Sequence, residues 1–369
     1  MDEAARPAAT AQRTLRNLAA IAVVLAALKL AAGLLVPIAF ALFLAVLSLP
    51  LFRRLLARRV PVGLAIFVTF LVLLAAVGLF GVLLLVSLDE LRDVAPTYAR
   101  TLQERVAYTD EWWQGRGISL REWVPLRWRE PQRVAELLGT AIRGTAILLS
   151  EIIIVFLLLI FFLGEAAAFR RKLERLPAAM RASIGRFAHV SRELQRYLVI
   201  KTAMSGLIGV ATGLWLTVLD VDFAVLCGLV AFAFHFVPNV GAAFAAAPAM
   251  LIAFLQHDPL KSVLVAVGYL AIGVVLGNLV EPTLLGRRLG LSTLAVFVSL
   301  LVWGWLWGPL GMFLSVPLTM AFKMALGDSE EWGWLAVLLD SPARARSSAA
   351  SAAALDGVES VAAGGGGAS

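Results

Sequence analysis

The stretch NLVEPTLLGRRLG, residues 278–290, is a polar interruption between two long apolar segments in the C-terminal third of the chain. It begins with the amide of Asn278 and carries the carboxylate of Glu281, which Pro282 follows directly. In hydrocarbon an ionisable side chain is costly unless it is paired, hydrated or facing a cavity, so Glu281 is a candidate functional residue. The proline removes a backbone donor and interrupts the hydrogen bonding of the next turn. This pattern indicates a broken helix end at a functional site.

The composition of the chain is that of a membrane protein. Apolar residues make up 60% of the 369 residues, and the mean hydropathy is +0.87. Apolar runs recur along most of the chain, and about 20 apolar residues suffice for a helix to cross a bilayer. We predict an all-α, polytopic helical membrane protein with about eight membrane segments. Short hairpin or re-entrant helices and an amphipathic helical insert are part of this prediction.

The excess of positive charge is more typical of contact with lipids than with nucleic acid. The formal net charge is +7 and the pI is about 10.1. In membrane proteins such an excess marks cytoplasmic loops beside anionic headgroups. Membrane lipids are therefore expected partners, and nucleic acid is not. The single cysteine, Cys227, lies in an apolar run, so we expect neither a disulfide framework nor a thiol metal cluster.

Shifts in composition divide the chain into five predicted parts. These are a cytoplasmic N-terminal segment (1–17), three membrane segments (18–88), an extracytoplasmic amphipathic insert (89–145), a transport core (146–327) and a C-terminal tail (328–369). Within the core, residues 165–201 form a basic cytoplasmic segment. From about residue 341 the tail is rich in Ala, Ser and Gly and cannot bury a core, so we expect disorder there.

Apolar runs and their flanks predict the first spans and the insert. Runs 18–36 and 38–52 are separated by Pro37 and suggest a hairpin, in which Lys29 can snorkel from a helix end. A third span covers 62–88. The insert contains four tryptophans: Trp112, Trp113, Trp123 and Trp128. Tryptophan at this density is typical of a headgroup-level belt, which predicts amphipathic helices on or just above the membrane.

The distribution of basic residues predicts the orientation. With the N-terminus inside, most of the 32 Lys and Arg residues lie in the cytoplasm, including those in 53–59 and 165–201. The short loops all agree with the positive-inside rule. We therefore predict a multi-pass protein with both termini cytoplasmic.

The C-terminal half consists mainly of short apolar segments. They are 202–219, 223–237, 241–256, the longer 260–279, and then 292–303 and 309–323, joined as a hairpin through 304–308. Short segments interrupted by Gly and Pro are typical of discontinuous or re-entrant helices whose ends open into a cavity. His235 and Asn239 flank the break at Pro238. We interpret His235 as a buried histidine bonded to a neighbouring helix rather than as a metal ligand.

Four motifs occur in a fixed order in this half. They are PNVG (238–241), NLVEP (278–282), LGRRLGLS (285–292) and the stretch 303–319, which contains WGW, GPLGM and SVPLT. Together they resemble the signature of the autoinducer-2 exporter family of bacterial membrane proteins, and the resemblance extends over about residues 18–327.

This resemblance implies a permease of the bacterial inner membrane with about eight spans and both termini cytoplasmic. It also implies export of the furanone autoinducer-2, as in some members, or sodium/proton antiport, as in others. A small polar solute or a monovalent cation is therefore the expected cargo. The resemblance further suggests a homo-oligomer.

Two roles remain open for Glu281. In one, it binds a proton or cation, and Asn278, one helical turn earlier on the same face, supplies an amide to the same ligand. In the other, it pairs with Arg287 or Arg288 and locks a helix end. If the first role holds, these arginines are cytoplasmic anchors. The predicted substrate or ion pathway comprises Glu281, Asn278, Asn239 and His235. Hinges or helix breaks are predicted at Pro238, Gly241, Pro282, Gly286, Gly290 and Pro317.

The motifs of several other function classes do not occur in the sequence. It contains no zinc-protease motif, no nucleophile elbow and no phosphate-binding loop. We expect no catalytic residue, no metal site and no cofactor. The predicted function is secondary transport that moves a small polar solute out of the cell. A sodium or lithium/proton antiporter and a non-transporting membrane scaffold are the alternatives.

Overall fold

The computed structural model describes residues 5–114, 152–169, 172, 178–238, 241–256, 259–285, 291–327 and 339. All regular structure within these ranges is helical. The helices are α1 (Ala5–Leu30), α2 (Ala32–Ala57), α3 (Val62–Gln114), α4 (Ile152–Phe169), α5 (Ala178–Val218), α6 (Ala224–His235), α7 (Gly241–Gln256), α8 (Pro259–Ile272), α9 (Glu281–Leu285) and α10 (Thr293–Gly327). A π-helical segment, Gly273–Val280, connects α8 directly to α9.

Six helical segments of the described chain are long and apolar enough to cross a membrane. They are Ala32–Ala57, Val62–Arg105, Ile152–Phe169, Arg192–Val218, Pro259–Leu285 and Thr293–Lys323. Three shorter apolar helices accompany them: Ala19–Leu30, Ala224–His235 and Gly241–Gln256. Many large apolar side chains on these helices are exposed, as expected of surfaces that face lipid. The protein is a multi-pass helical membrane protein, as the sequence predicts.

The first two helices meet at Ala31, whereas the sequence predicts a turn at Pro37. Backbone bonds from Ala31 N to Ala27 O and from Leu35 N to Ala31 O, both 2.9 Å, keep the chain helical on each side. Pro37 lies inside α2 and is buried. The predicted turn at Pro37 is wrong, because helices in a bilayer tolerate an interior proline when neighbouring groups satisfy the freed backbone.

α3 continues through the predicted boundary between the third span and the insert. It runs from Val62 to Gln114, although the sequence turns polar at Asp89. A change in polarity does not end a helix, because Glu and Arg are as compatible with helix as Leu. Residues 115–145 of the insert, and Trp123 and Trp128 with them, lie outside the described residues. The amphipathic helices expected there stay a prediction.

α5 also begins well before its predicted apolar run. The sequence starts this span at Thr202, but the helix runs from Ala178. Lys201 is buried inside the bundle, which the sequence does not predict, whereas the basic cytoplasmic segment 165–201 stays a prediction. Counting basic residues does not reveal the burial of Lys201, because a lysine is buried in a membrane protein only where a partner is present, and the count does not show partners.

α5 and α6 form a hairpin in which the two backbones touch. The turn between them uses two left-handed residues, Asp220 and Phe223, each with a φ of 57°. A Cβ atom added to Gly228 of α6 would lie 2.7 Å from the carbonyl oxygen of Gly209 of α5. Small residues at such crossings let membrane helices approach closely. The contact therefore fixes the position of α6 along the axis of α5.

We expect Gly228→Ala to lower the free energy of unfolding by about 1–3 kcal/mol, the usual effect of overpacking. The added methyl group would force the two backbones apart. Gly206→Ala is the matched control, because a Cβ atom added to Gly206 of α5 meets nothing within 4 Å. Thermal unfolding of both purified variants in detergent measures the difference. Equal midpoints would contradict the close α5–α6 contact.

The reversal between α6 and α7 is tight. Pro238 lies in the turn, and a Cβ atom added to Gly241, the first residue of α7, would overlap the carbonyl oxygen of Phe234. Glycine is thus needed at this position because the backbone passes so close.

An aromatic cluster anchors this reversal. Phe236, which follows α6, has its ring centroid 4.1 Å from that of Phe313 in α10 and 6.4 Å from that of Phe43 in α2. Phe43 and Phe313 are themselves 5.3 Å apart and packed edge to face. Such pairs stabilise beyond their buried area. They hold the C-terminal end of α6 in a fixed position.

α10 reverses direction at Gly308, whose φ of 65° and ψ of −147° are not helical. The indole of Trp303 donates a hydrogen bond to the hydroxyl of Thr319 at 3.0 Å. In a straight helix these residues would be roughly 24 Å apart, so the two halves of α10 fold back on each other as the sequence predicts. Lys29 of α1 lies 3.9 Å from the ring centroid of Trp305 near this bend.

Candidate transport site

Three ionisable side chains from three helices meet inside the bundle. The Nζ atom of Lys201 in α5 donates to Oε1 of Glu281 in α9 at 2.8 Å. The Nε2 atom of His235, the last residue of α6, lies 2.7 Å from Oε2 of Glu281. The same Nε2 atom is 3.3 Å from Lys201 Nζ. We call Lys201, His235 and Glu281 the Glu281 cluster.

The Glu281 cluster is largely shielded from its surroundings. The exposed fraction of the side chain is 9% for Lys201, 10% for Glu281 and 17% for His235. Removing charges from water is costly, and mutual attraction offsets this cost only when the geometry is good. The Lys172–Glu165 pair is equally short at 2.6 Å, but its side chains are 64% and 60% exposed. Burial therefore distinguishes the cluster from an ordinary surface pair, which contributes little.

Packing of α5 against the continuous helix α8–α9 brings the cluster together. Near one end, the indole of Trp215 donates to the carbonyl oxygen of Leu264 at 3.2 Å. On the N-terminal side of Lys201, the guanidinium of Arg196 donates to the carbonyl oxygen of Leu284 at 3.3 Å. Lys201 and Glu281 face each other between these contacts. The two helices are antiparallel, since residue numbers rise along one as they fall along the other.

The π-helical segment changes the register just before Glu281. Its wider turns, with i→i+5 hydrogen bonds, do not keep the side-chain spacing of an α-helix. Asn278, which α-helical spacing predicts to share a face with Glu281, is exposed, whereas Glu281 is buried. The structure does not bring Asn278 into the Glu281 cluster. π segments of this kind occur frequently at functional sites.

The structure places the other predicted site residues as follows. Pro282 is exposed in the first turn of α9, and next to it the hydroxyl of Thr283 donates to the carbonyl oxygen of Val280 at 2.7 Å. Pro317 lies partly buried inside α10. Five predicted residues lie outside the described residues: Asn239, Gly286, Arg287, Arg288 and Gly290. The predicted pairing of Glu281 with Arg287 or Arg288 therefore also lies outside the described residues. Within them, the Glu281 carboxylate has Lys201 and His235 as partners.

Sequence reasoning missed Lys201 and its neighbour Tyr197. Tyr197 is buried one turn before Lys201 on α5, in the neighbourhood of Glu281. A signal was available in the sequence. Lys201 is the last basic residue before the apolar run, and helical spacing places it on one face with Tyr197 and Ser205.

Lys201 and Glu281 both contact the same nitrogen of His235, Nε2. Whether this nitrogen carries a proton decides which of the two it bonds. If His235 Nε2 carries a proton, it donates to Glu281 and cannot accept from Lys201. If Nε2 is unprotonated, it can accept from Lys201, and the contact with Glu281 then needs a proton on the carboxyl group. The contacts thus correspond to two alternative proton arrangements. In the described part of the chain no three His, Cys, Asp or Glu side chains are grouped as a metal site.

The sequence matches a transporter family and several of its relatives over nearly its whole length. The family model described as "AI-2E family transporter" matches residues 18–331. The chain is 34% identical over 319 residues to "AI-2 transport protein TqsA" of Escherichia coli K12, covering 86% of this chain and 93% of that protein. It is 36% identical over 335 residues to a "Putative transport protein" of Haemophilus influenzae, covering 89% and 96%.

Another relative is "Putative transport protein YhhT" of Escherichia coli K12, 30% identical over 345 residues, with 94% of this chain and 99% of that protein covered. The resemblance read from the four sequence motifs is confirmed. Because the family that matches is one of transporters, the chain is a transporter and not an enzyme. On its fold and these matches, the chain belongs to the AI-2E transporter family.

Proposed function

We propose that this transporter moves a small polar solute out of the cell and that the Glu281 cluster binds the solute during transport. One observation carries the proposal: a buried ammonium, a carboxylate and an imidazole meet within helices that are otherwise apolar. Ionisable groups at such positions mark solute and ion pathways in membrane proteins. A pathway role accounts for the cost of burying them, whereas a purely structural contact could be made by apolar side chains.

Autoinducer-2 is the first solute to test, because the name of the Escherichia coli relative identifies it as an AI-2 transport protein. A small solute that carries hydroxyl and carbonyl groups can accept hydrogen bonds from Lys201 and donate them to Glu281. It would replace the contacts that these side chains make with each other. Sodium or lithium antiport is less favoured, because the cation would have to displace the Lys201 ammonium from Glu281.

Two of the three cluster residues lie at helix irregularities, which supports a moving site. His235 ends α6 just before the Pro238 turn, and Glu281 follows the π-helical segment. In transporters, discontinuous helices near the substrate allow one part of the protein to move against another. We propose that these two breaks alternately expose the Glu281 cluster to each side of the membrane.

The proposed location is the bacterial inner membrane, with both termini cytoplasmic and the chain assembled as a homo-oligomer. The excess of Lys and Arg in the short loops assigned to the inner side supports the orientation. Reporter fusions at each terminus test it, and periplasmic activity of either fusion would contradict it. Cross-linking in native membranes tests the oligomer.

Efflux from proteoliposomes tests the proposed function. Purified protein is reconstituted into liposomes loaded with labelled autoinducer-2 and a pH-sensitive dye, and protein-free liposomes serve as the control. We expect saturable, protein-dependent efflux. Proton movement that depends on added sodium or lithium, without autoinducer-2 efflux, would support antiport instead. No movement of either would support the scaffold.

A further inference from the structure

Four buried hydroxyl groups have no hydrogen-bond partner in the described residues, and all four lie on α5 or α8. They are Thr202 Oγ1, Ser205 Oγ and Thr212 Oγ1 on α5, and the Tyr269 hydroxyl on α8. Ser205 and Thr212 are fully buried. A buried polar group without a partner costs about 1–3 kcal/mol. Several of them on two neighbouring helices therefore require an explanation.

Ordinary helical behaviour does not account for these hydroxyls. Serine and threonine inside a helix can donate to the carbonyl four residues earlier. Thr69 does so in α3, where it is fully buried and its hydroxyl donates to Ala65 O at 2.7 Å. Thr212 is equally buried and makes no such bond. Its hydroxyl is thus available to another partner, and polar groups in such positions are commonly satisfied by water.

A line of side chains along one face of α5 consists of Lys201, Ser205 and Thr212. At about 100° per residue, Lys201, Ser205 and Thr212 fall within roughly 40° of each other around α5. From Lys201 to Thr212 the helix rises roughly 16 Å, about half the thickness of the hydrocarbon core. The line lies between the α6 contact at Gly209 and the α8 contact at Trp215. It is therefore enclosed by three helices.

Tyr269 approaches this line from α8. It packs with Ile208 and Ala231 in one buried cluster and also contacts the cluster that contains Cys227. Small side chains on α6 and α7, Ala231 and Ala245, lie in the same cluster. Ile208 lies on α5 between Ser205 and Thr212, so Tyr269 packs against the same stretch of α5 as these hydroxyls.

We propose that Ser205, Thr212 and Tyr269 line a hydrated path that delivers protons to Glu281, so that proton entry drives solute export. The coupling to export rests on the proposed function above. Each hydroxyl accepts a proton on one side and passes one on, so the hydroxyls are unchanged overall. The proton that arrives neutralises the Glu281 carboxylate, which then no longer accepts hydrogen bonds from the solute. Proton binding therefore releases the solute, and the two move in opposite directions.

In the described residues, three titratable groups surround the end of the path at Glu281. Lys201 and Tyr197 face Glu281 from α5, and His235 faces it from α6. The arriving proton can also enter the cluster through His235: a proton that binds Nδ1 lets Nε2 pass its own proton to Glu281, and Nε2 is then free to accept from Lys201. Further along, Tyr269 packs against the buried cluster that contains Cys227.

Ser205→Ala and Thr212→Val test the path, with Thr69→Val as the matched control. Proteoliposomes carry labelled autoinducer-2 and a pH-sensitive dye inside, and the outside is acidified. We expect proton uptake in both path variants to fall roughly tenfold, a barrier rise of about 1.4 kcal/mol, and uptake in Thr69→Val to stay normal. Thermal unfolding midpoints of the path variants should not fall, because neither hydroxyl bonds another group of the described protein.

A second measurement separates the path from the transport function. Exchange of labelled for unlabelled autoinducer-2 without a pH gradient needs no net proton movement, so the path variants should retain it. Wild-type proton uptake rates in Ser205→Ala and Thr212→Val would overturn the path, as would wild-type export without proton uptake. If the wild type takes up protons through these hydroxyls but exchanges no autoinducer-2, the path stands and the proposed substrate fails.

Discussion

Glu281→Gln is expected to abolish autoinducer-2 efflux and to lower the free energy of unfolding by about 3–5 kcal/mol, the usual cost of removing one partner from a buried pair. The amide keeps the size of the side chain but removes its charge. Lys201 then remains 9% exposed with no counter-charge. Efflux in proteoliposomes and thermal unfolding in detergent measure the two effects.

Glu165→Gln is the matched control for this change. Glu165 forms an ion pair with Lys172 at 2.6 Å, but both side chains are mostly exposed. Surface pairs of this kind contribute about 0–1 kcal/mol, so this variant should transport and unfold like the wild type. Normal efflux in Glu281→Gln would show that Glu281 only locks a helix end and would reject the transport role.

Lys201→Met is expected to have an effect of similar size, and the double variant with Glu281→Gln tests whether the two residues act together. Methionine fills the space of the lysine stem without its charge and leaves the Glu281 carboxylate with His235 alone. In the double variant both charges are gone. The stability lost in the double variant should be smaller than the sum of the single losses by about 0.5–3 kcal/mol.

Transport should remain absent in the double variant even as stability recovers. Removing both charges restores a neutral interior but leaves the solute neither the ammonium nor the carboxylate. Lys172→Met paired with Glu165→Gln repeats the cycle at the exposed pair and should show no coupling. Additive stability losses at Lys201 and Glu281 would contradict their contact, and recovery of efflux would contradict their role.

The sequence predicts the membrane class and the positions of the short helices well, because these depend on local signals. The predicted segment 241–256 coincides with α7, and 223–237 differs from α6 by a few terminal residues. The reversal within α10 falls at Gly308, inside the predicted joint 304–308. Gly and Pro act on their own backbone, so their effect is visible without knowing the neighbours.

The composition of the Glu281 cluster was only partly predictable, because it depends on contacts between distant segments. Glu281 and His235 are candidates from sequence, since each stands out in an apolar run. Lys201 looks like one more cytoplasmic lysine until the packing of α5 against α9 places it 2.8 Å from Glu281. Asn278 is excluded by a π-helical register that α-helical spacing does not anticipate.

Binding of autoinducer-2 to the purified protein tests most directly whether the Glu281 cluster is the transport site. Isothermal titration in detergent compares the wild type with Glu281→Gln and Glu165→Gln. We expect the wild type and Glu165→Gln to bind with equal affinity and Glu281→Gln to show no measurable binding while still folded by its unfolding transition. Equal affinity in all three proteins would place the solute elsewhere and contradict the account.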